Sequence, residues 1–263
     1  MEHASGRMLA EVDTGIGLIT FNNPDRRNAM SVEMWHGLIE ILDWFEADPA
    51  VRVVVLTGAG AKAFVSGADI SQFDSQRADA TAQRDYDRLT SEGRARLGRF
   101  SRPVIARIRG YCLGGGLALA LQADLRVAAE DSEFGIPAAR LGLAYGPAMV
   151  AQLVRLVGPG HARMLLYTGA RIDGREAARI GLVNQVVADE DLSDTVVDLA
   201  RAIADNAPLS VRAAKLAVAA AEEPDAADHH ALDAAVAACF DSEDYKEGRA
   251  AFHEKRLPQF RGT

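Results

Sequence analysis

The sequence predicts an α/β core over about residues 1–205, followed by a helical C-terminal region over 206–263. Three observations predict it. Short apolar runs alternate with helical stripes through the first half, the pattern of a layered α/β fold. Beyond Pro147 the pattern turns helical, and the run from Arg212 to Ala238 is rich in alanine, the strongest helix former.

The elements follow in order. Met8–Glu11 and Ile16–Phe21 flank Asp13-Thr14-Gly15, a hairpin turn pattern. Ser31 is an N-cap for a helix through Phe45, with Met34, Leu38, Ile41, Leu42 and Phe45 on one stripe. Asp48-Pro49 ends that helix. Val51–Thr57 is apolar apart from Arg52, as in a strand buried on both faces. The polar, Arg-rich stretch 79–99 reads as an exposed helix, a candidate lid. Val104–Ile108 is another buried strand, Leu117–Gln122 a small-residue helix and Asp124–Ala129 a third strand. After Pro147, helices are expected at about 148–157, 160–168, 174–180, 190–206, 209–223, 226–240 and 243–256.

Composition narrows the function. The chain has 263 residues, 49% hydrophobic and 25% charged, which excludes a disordered chain and a small disulfide scaffold. With 37 acidic residues against 29 basic ones the net charge is −8, which argues against a general nucleic-acid binder. A local basic pocket for a phosphorylated ligand stays compatible with that charge. Cys112 and Cys239 form no CxxC pattern and read as reduced, mostly buried thiols. None of the six histidines has metal-ligand spacing to a second ligand, and His229-His230 reads as a solvated face. No signal-peptide or membrane-span pattern is visible, so a cytoplasmic location is expected.

Several motifs bear on chemistry. Gly58-Ala59-Gly60-Ala61-Lys62-Ala63 matches a dinucleotide fingerprint, but the following Phe64-Val65-Ser66-Gly67 reads as extended where that fingerprint needs a helix. No nucleophile elbow or Walker loop is present. Two glycine-bearing segments, Ala63–Ile70 and Gly110–Gly116, each follow a buried strand, and the second opens a helix. Backbone N–H groups of two such turns can converge on one oxygen as an oxyanion hole. The same glycines also suit tight turns and close helix–strand packing, and the residues alone leave both readings open.

Taken together, the motifs resemble the enoyl-CoA hydratase/isomerase (crotonase) superfamily over nearly the whole chain. They are Phe21–Met30, Ser66-Gly67-Ala68-Asp69-Ile70, Gly114-Gly115-Gly116, Phe134-Gly135-Ile136-Pro137, Asp241–Gly248 and Phe252–Arg256. The resemblance implies a spiral of ββα units with a C-terminal helical trimerisation region. It implies a homotrimer or dimer of trimers acting on an acyl-CoA thioester, with no cofactor beyond coenzyme A as part of the substrate, and no nucleic-acid or membrane partner. By position, the N–H groups of Ala68 and Gly115 are the oxyanion donors for a developing enolate. Arg26, Ala29, Ala68, Asp69 and Ile70 match coenzyme-binding positions, and Phe252 and Lys255 match residues that reach a neighbouring subunit's coenzyme.

The departures from the family pattern carry information. Hydratases of the family place glutamates where Ala118 and Ala138 stand here, and a methyl group neither orients water nor accepts a proton. The dienoyl isomerase pattern wants an acid where Gly146 stands. Tyr145 aligns with a tyrosine of members that decarboxylate methylmalonyl-CoA, although those members carry a histidine where Ala68 stands. Packing and catalysis are both open for Tyr145. Among other polar residues, Ser66 reads as a turn hydrogen bonder. The Asp69 side chain reads as structural, and Asp124 as a buried, hydrogen-bonded acid. Gln72 and Asp74 are candidate pocket residues, and Arg140 faces either an acyl group or solvent. Two readings follow: an atypical acyl-CoA lyase, decarboxylase-like through Tyr145, or an acyl-CoA-binding protein without chemistry.

Overall fold

The computed structural model describes residues 1–69 and 80–263. Its strands and helices build two sheets from a repeated path. β1 (Glu2–His3), β2 (Met8–Asp13) and β3 (Ile16–Phe21) lead into α1 (Val32–Ala47) and β4 (Val53–Gly58). β5 (Ala63–Val65) is followed by α2 (Ala80–Gly98), then β6 (Val104–Ile108), β7 (Tyr111–Leu113) and α3 (Gly115–Ala120). β8 (Leu125–Ala129), β9 (Glu133–Gly135), α4 (Pro147–Thr168), β10 (Arg171–Asp173), α5 (Gly174–Arg179) and β11 (Gln185–Val187) come next. The chain ends in α6 (Leu192–Ala204), α7 (Pro208–Glu222), α8 (His229–Asp241) and α9 (Glu243–Glu254).

The larger sheet has the order β1-β2-β3-β4-β6-β8-β11, the smaller one β10-β9-β7-β5. β4, β6 and β8 lie side by side and parallel in the first, and β5, β7 and β9 do the same in the second. Each turn of the chain therefore gives one strand to each sheet and then a helix, which is the expected spiral of ββα units.

Alternation along the strands divides the core. Val54, Leu56 and Ala106 point into the main core with α1, whereas Val53, Val55 and Ile105 point toward Leu192, Val196 and Ala200 of α6. Burial on both faces explains the unbroken apolar runs read in the sequence. On α1 the stripe Met34, Leu38, Ile41, Leu42 and Phe45 is fully buried, an upper estimate on the order of 10 kcal/mol of apolar transfer. The Ser31 Oγ accepts the Met34 N–H at 3.3 Å, the expected N-cap.

The helical reading beyond Pro147 needs correction in two places. β10 pairs antiparallel with β9, and β11 pairs parallel with β8, so both sheets gain a late strand. Each is only three residues long and is set by its distant partner, so it leaves no periodic signal. The break expected near 158–159 is a kink inside α4, where Gly158 has φ 71° and ψ 164° and Pro159 follows. Asp124 is also corrected: it is exposed rather than buried, though its carboxylate accepts bonds from the Val104 N–H and the Lys215 Nζ. Along α7–α9 few side chains are buried, and Leu216, Val218, Val236, Phe240 and Phe252 stand exposed. Among the described residues no helix is long and apolar enough to cross a membrane.

One side chain ties the early loop to the spiral. Asn28 is fully buried with φ 56°, and its Nδ2 donates to the carbonyls of Ala59 (3.0 Å) and Ala63 (2.7 Å). Its Oδ1 accepts the Asn23 N–H at 3.0 Å. Asparagine tolerates this left-handed backbone better than most residues, and its amide satisfies groups on both sides. An Asn28→Ala variant is expected to lose about 2–4 kcal/mol of stability, because a buried carbonyl and a part-buried one lose their donor. Thermal midpoints at matched protein concentration check this.

Candidate active site

The site forms where the two glycine-bearing turns leave the C-terminal ends of β5 and β7. These strands are parallel neighbours, so the turns emerge side by side. After β5 the chain pairs briefly with the segment before α1. The Met30 N–H donates to the Gly67 carbonyl at 2.8 Å, and the Asp69 N–H donates to the Met30 carbonyl at 2.9 Å. A parallel bridge of this kind uses the groups on either side of Ala68, so the Ala68 N–H points away from Met30.

After β7 the chain turns through Gly114, whose φ 55° and ψ −117° suit glycine alone. The Gly114 N–H donates to the Gly135 carbonyl at 2.8 Å. Gly115 then opens α3, and an N–H at the first position of a helix has no partner within that helix. A Cβ placed on Gly115 would lie 3.7 Å from the Ala68 nitrogen, so the two amide groups are close neighbours. Gly116 holds the turn against β5, since a Cβ there would lie 1.9 Å from the Val65 carbonyl oxygen. The two glycine-bearing turns thus bring the main-chain amides of Ala68 and Gly115 close together.

Tyr145 completes this corner. It lies between the 3-10 turn Pro137–Leu141 and α4 and packs partly buried against the core. A Cβ placed on Gly114 would come within 3.2 Å of the Tyr145 hydroxyl. Ala118 and Ala138 are both buried nearby in the sequence of the same turns, Ala118 on α3 and Ala138 on the 3-10 turn. Arg94, which the sequence did not single out, lies within electrostatic reach of Tyr145. Its guanidinium lies 5.8 Å from the Trp35 ring and donates to the Ser91 Oγ at 3.3 Å. Burial pulls its pKa below the ordinary arginine value, and Tyr86, Tyr145 and Asp87 offset part of that. One arginine among several in a polar helix gives no sequence signal. Its placement follows from Gly93 closing on Trp35, where a Cβ would lie 2.7 Å from the ring.

The remaining expected residues divide. Arg26 Nη1 donates to the Asp69 carboxylate at 3.1 Å, with Asp69 buried and Arg26 half-exposed, so these two positions are joined. The Asp69 side chain is buried and bonded to Arg26, and Ala29 lies buried beside Met30. The Ser66 hydroxyl donates to the Arg26 carbonyl at 3.4 Å. Arg140 donates to the Thr168 carbonyl at 3.2 Å, at the end of α4. Phe252 and Lys255 stand exposed on and just beyond α9. Ile70, Gln72 and Asp74 lie outside the described residues.

The enoyl-CoA hydratase/isomerase family model matches residues 11–263. The chain belongs to the enoyl-CoA hydratase/isomerase family. A short-chain-enoyl-CoA hydratase of Clostridium acetobutylicum is 36% identical over 95% of this chain and 95% of its own. A crotonyl-CoA hydratase of Syntrophomonas wolfei is 38% identical over 96% of this chain and 97% of its own. Among solved structures, an enoyl-CoA hydratase/carnithine racemase of Magnetospirillum magneticum superposes with a TM-score of 0.93 at 38% identity, covering 98% of this chain and 96% of that one.

Within this family member, Cys112 on β7 is close to the turn in sequence but carries no nucleophile's environment. It is fully buried, and burial pushes its thiol well above the ordinary range. Cys112 is therefore expected to resist iodoacetamide in the native protein and to react once urea unfolds it, as read by peptide mass spectrometry.

Proposed function

We propose that this family member processes an acyl-CoA thioester by stabilising its enolate, and that the acyl group carries a carboxylate lost as carbon dioxide. The observation that carries the reading is the Tyr145 hydroxyl standing over Gly114, the residue that leads into Gly115. In the proposed step, the bond between the carboxylate carbon and the α-carbon breaks. Its electron pair moves toward the thioester oxygen, which the two N–H groups hold. Carbon dioxide leaves, and water returns a proton to the α-carbon. Charge develops on one oxygen, where preorganised donors act most strongly. Tyr145 would hold the carboxylate out of plane, and the Arg94 charge would favour an anionic acyl group.

Hydration is the activity in the names of the two relatives described above. By the family resemblance, that reaction uses glutamates where Ala118 and Ala138 stand, and the methyl groups at those two positions supply no base for water. Arg26, Ala29, Ala68, Asp69 and Ile70 are proposed to hold the coenzyme. The exposed apolar side chains of α7–α9 are proposed to meet further copies of the chain in a trimer or dimer of trimers, with Phe252 and Lys255 reaching a neighbour's coenzyme.

Mass spectrometry of short and long enoyl-CoAs and methylmalonyl-CoA in deuterated water tests this. Loss of carbon dioxide from methylmalonyl-CoA is expected, and Tyr145→Phe should slow it roughly 10- to 100-fold, the loss of one hydrogen bond to a charged group. Binding without any mass change would favour a coenzyme-binding protein without chemistry, and gain of water by an enoyl-CoA would overturn the carboxylate reading. The double variant Ala118→Glu with Ala138→Glu is expected to raise hydration of a short enoyl-CoA, measured by loss of enoyl-thioester absorbance.

A further inference from the structure

A separate cleft of about 290 Å³ opens where β4 and β6 end. It is walled by Thr20, Thr57, the Gly58–Gly60 turn, Arg107, Arg109 and Leu192, and it shares no lining residue with the turns around Ala68 and Gly115. Strand alternation puts it on the α6 face of the larger sheet: Thr57 continues the row Val53–Val55, and Arg107 continues from Ile105.

The charges in this cleft do not balance. Arg109 is satisfied, its Nε donating to the Asp189 carboxylate at 2.5 Å and its Nη2 to the Asp189 carbonyl at 2.9 Å. Arg107 is held differently: its Nε donates to the Thr57 hydroxyl oxygen at 3.1 Å. Among the described residues no carboxylate lies within ion-pair distance of Arg107. Burial and the neighbouring Arg109 charge both pull its pKa below the ordinary arginine value, the signature of a cation lacking a counter-charge. The terminal nitrogens of a guanidinium fixed at Nε form a planar fork suited to two oxygens of one anion. Thr57, accepting from Arg107, keeps its own hydroxyl proton to donate.

We propose that this cleft binds a small divalent oxyanion of the phosphate type, with the Arg107 guanidinium as its main ligand and Thr57 and Arg109 beside it. The site is independent of the acyl-CoA reading, because it uses none of those residues.

Equilibrium dialysis with radiolabelled inorganic phosphate, at ionic strength held constant with potassium chloride, tests it. The wild-type protein should retain about one phosphate per chain at millimolar concentration, and Arg107→Gln should weaken retention about tenfold or more, as expected for losing a charge-assisted bond. Thr20→Glu provides a second variant, bringing a carboxylate of the chain's own into the cleft. It should exclude phosphate and raise the thermal midpoint in chloride. Methyl phosphate in parallel distinguishes sources: Arg107-dependent retention of either species supports the site, and retention of both identifies a phosphate ester as an occupant. No retention by the wild type, or equal retention by wild type and both variants, would overturn the proposal.

Discussion

The short bridge between Met30 and Ala68 governs the geometry of the candidate site. It engages the carbonyl of Gly67 and the amide of Asp69, and by that choice it presents the amide of Ala68 to the other side. The Asn28 amide fixes the neighbouring segment by clamping two carbonyls of the β4–β5 connection. If either contact slipped by one residue, the strand would present the carbonyl of a neighbour in place of a donor. Hydrogen bonding that looks like ordinary scaffolding is therefore what sets the polarity of the site.

The spiral makes a second amide available without further machinery. β5 and β7 are parallel neighbours, so the chain leaves both at the same edge, and Gly114 turns it into α3. The glycines do two different jobs there. Gly114 supplies a backbone conformation, and Gly116 supplies the absence of a side chain against Val65. Tyr145 and Arg94 come from elements remote in sequence and give this corner its polar and cationic character.

Much of this could be read from residues alone. The α1 stripe, its Ser31 cap, the buried parallel strands and the two glycine turns each carry a local signal that the fold obeys. β10 and β11 were not legible, because a three-residue strand is defined by the partner it meets. Asp124 showed its bonding but not its exposure, which depends on where α7 and Lys215 lie. The placement of Tyr145 over Gly114, and the differing fates of Arg107 and Arg109, depend on contacts between segments far apart in the chain. Arg94 stayed hidden for the same reason: a helix rich in arginine does not say which one turns inward.

A donor pair made of main chain has one property that a pair of side chains lacks. Every residue except proline carries an N–H, so most single codon changes at Ala68 would leave its donor in place. A lineage built on such a fold can exchange its acids, bases and pocket walls while the grip on one oxygen persists. Under the proposed reading, alanines at positions 118 and 138 would remove one reaction without dismantling the electrostatic core from which another can be assembled.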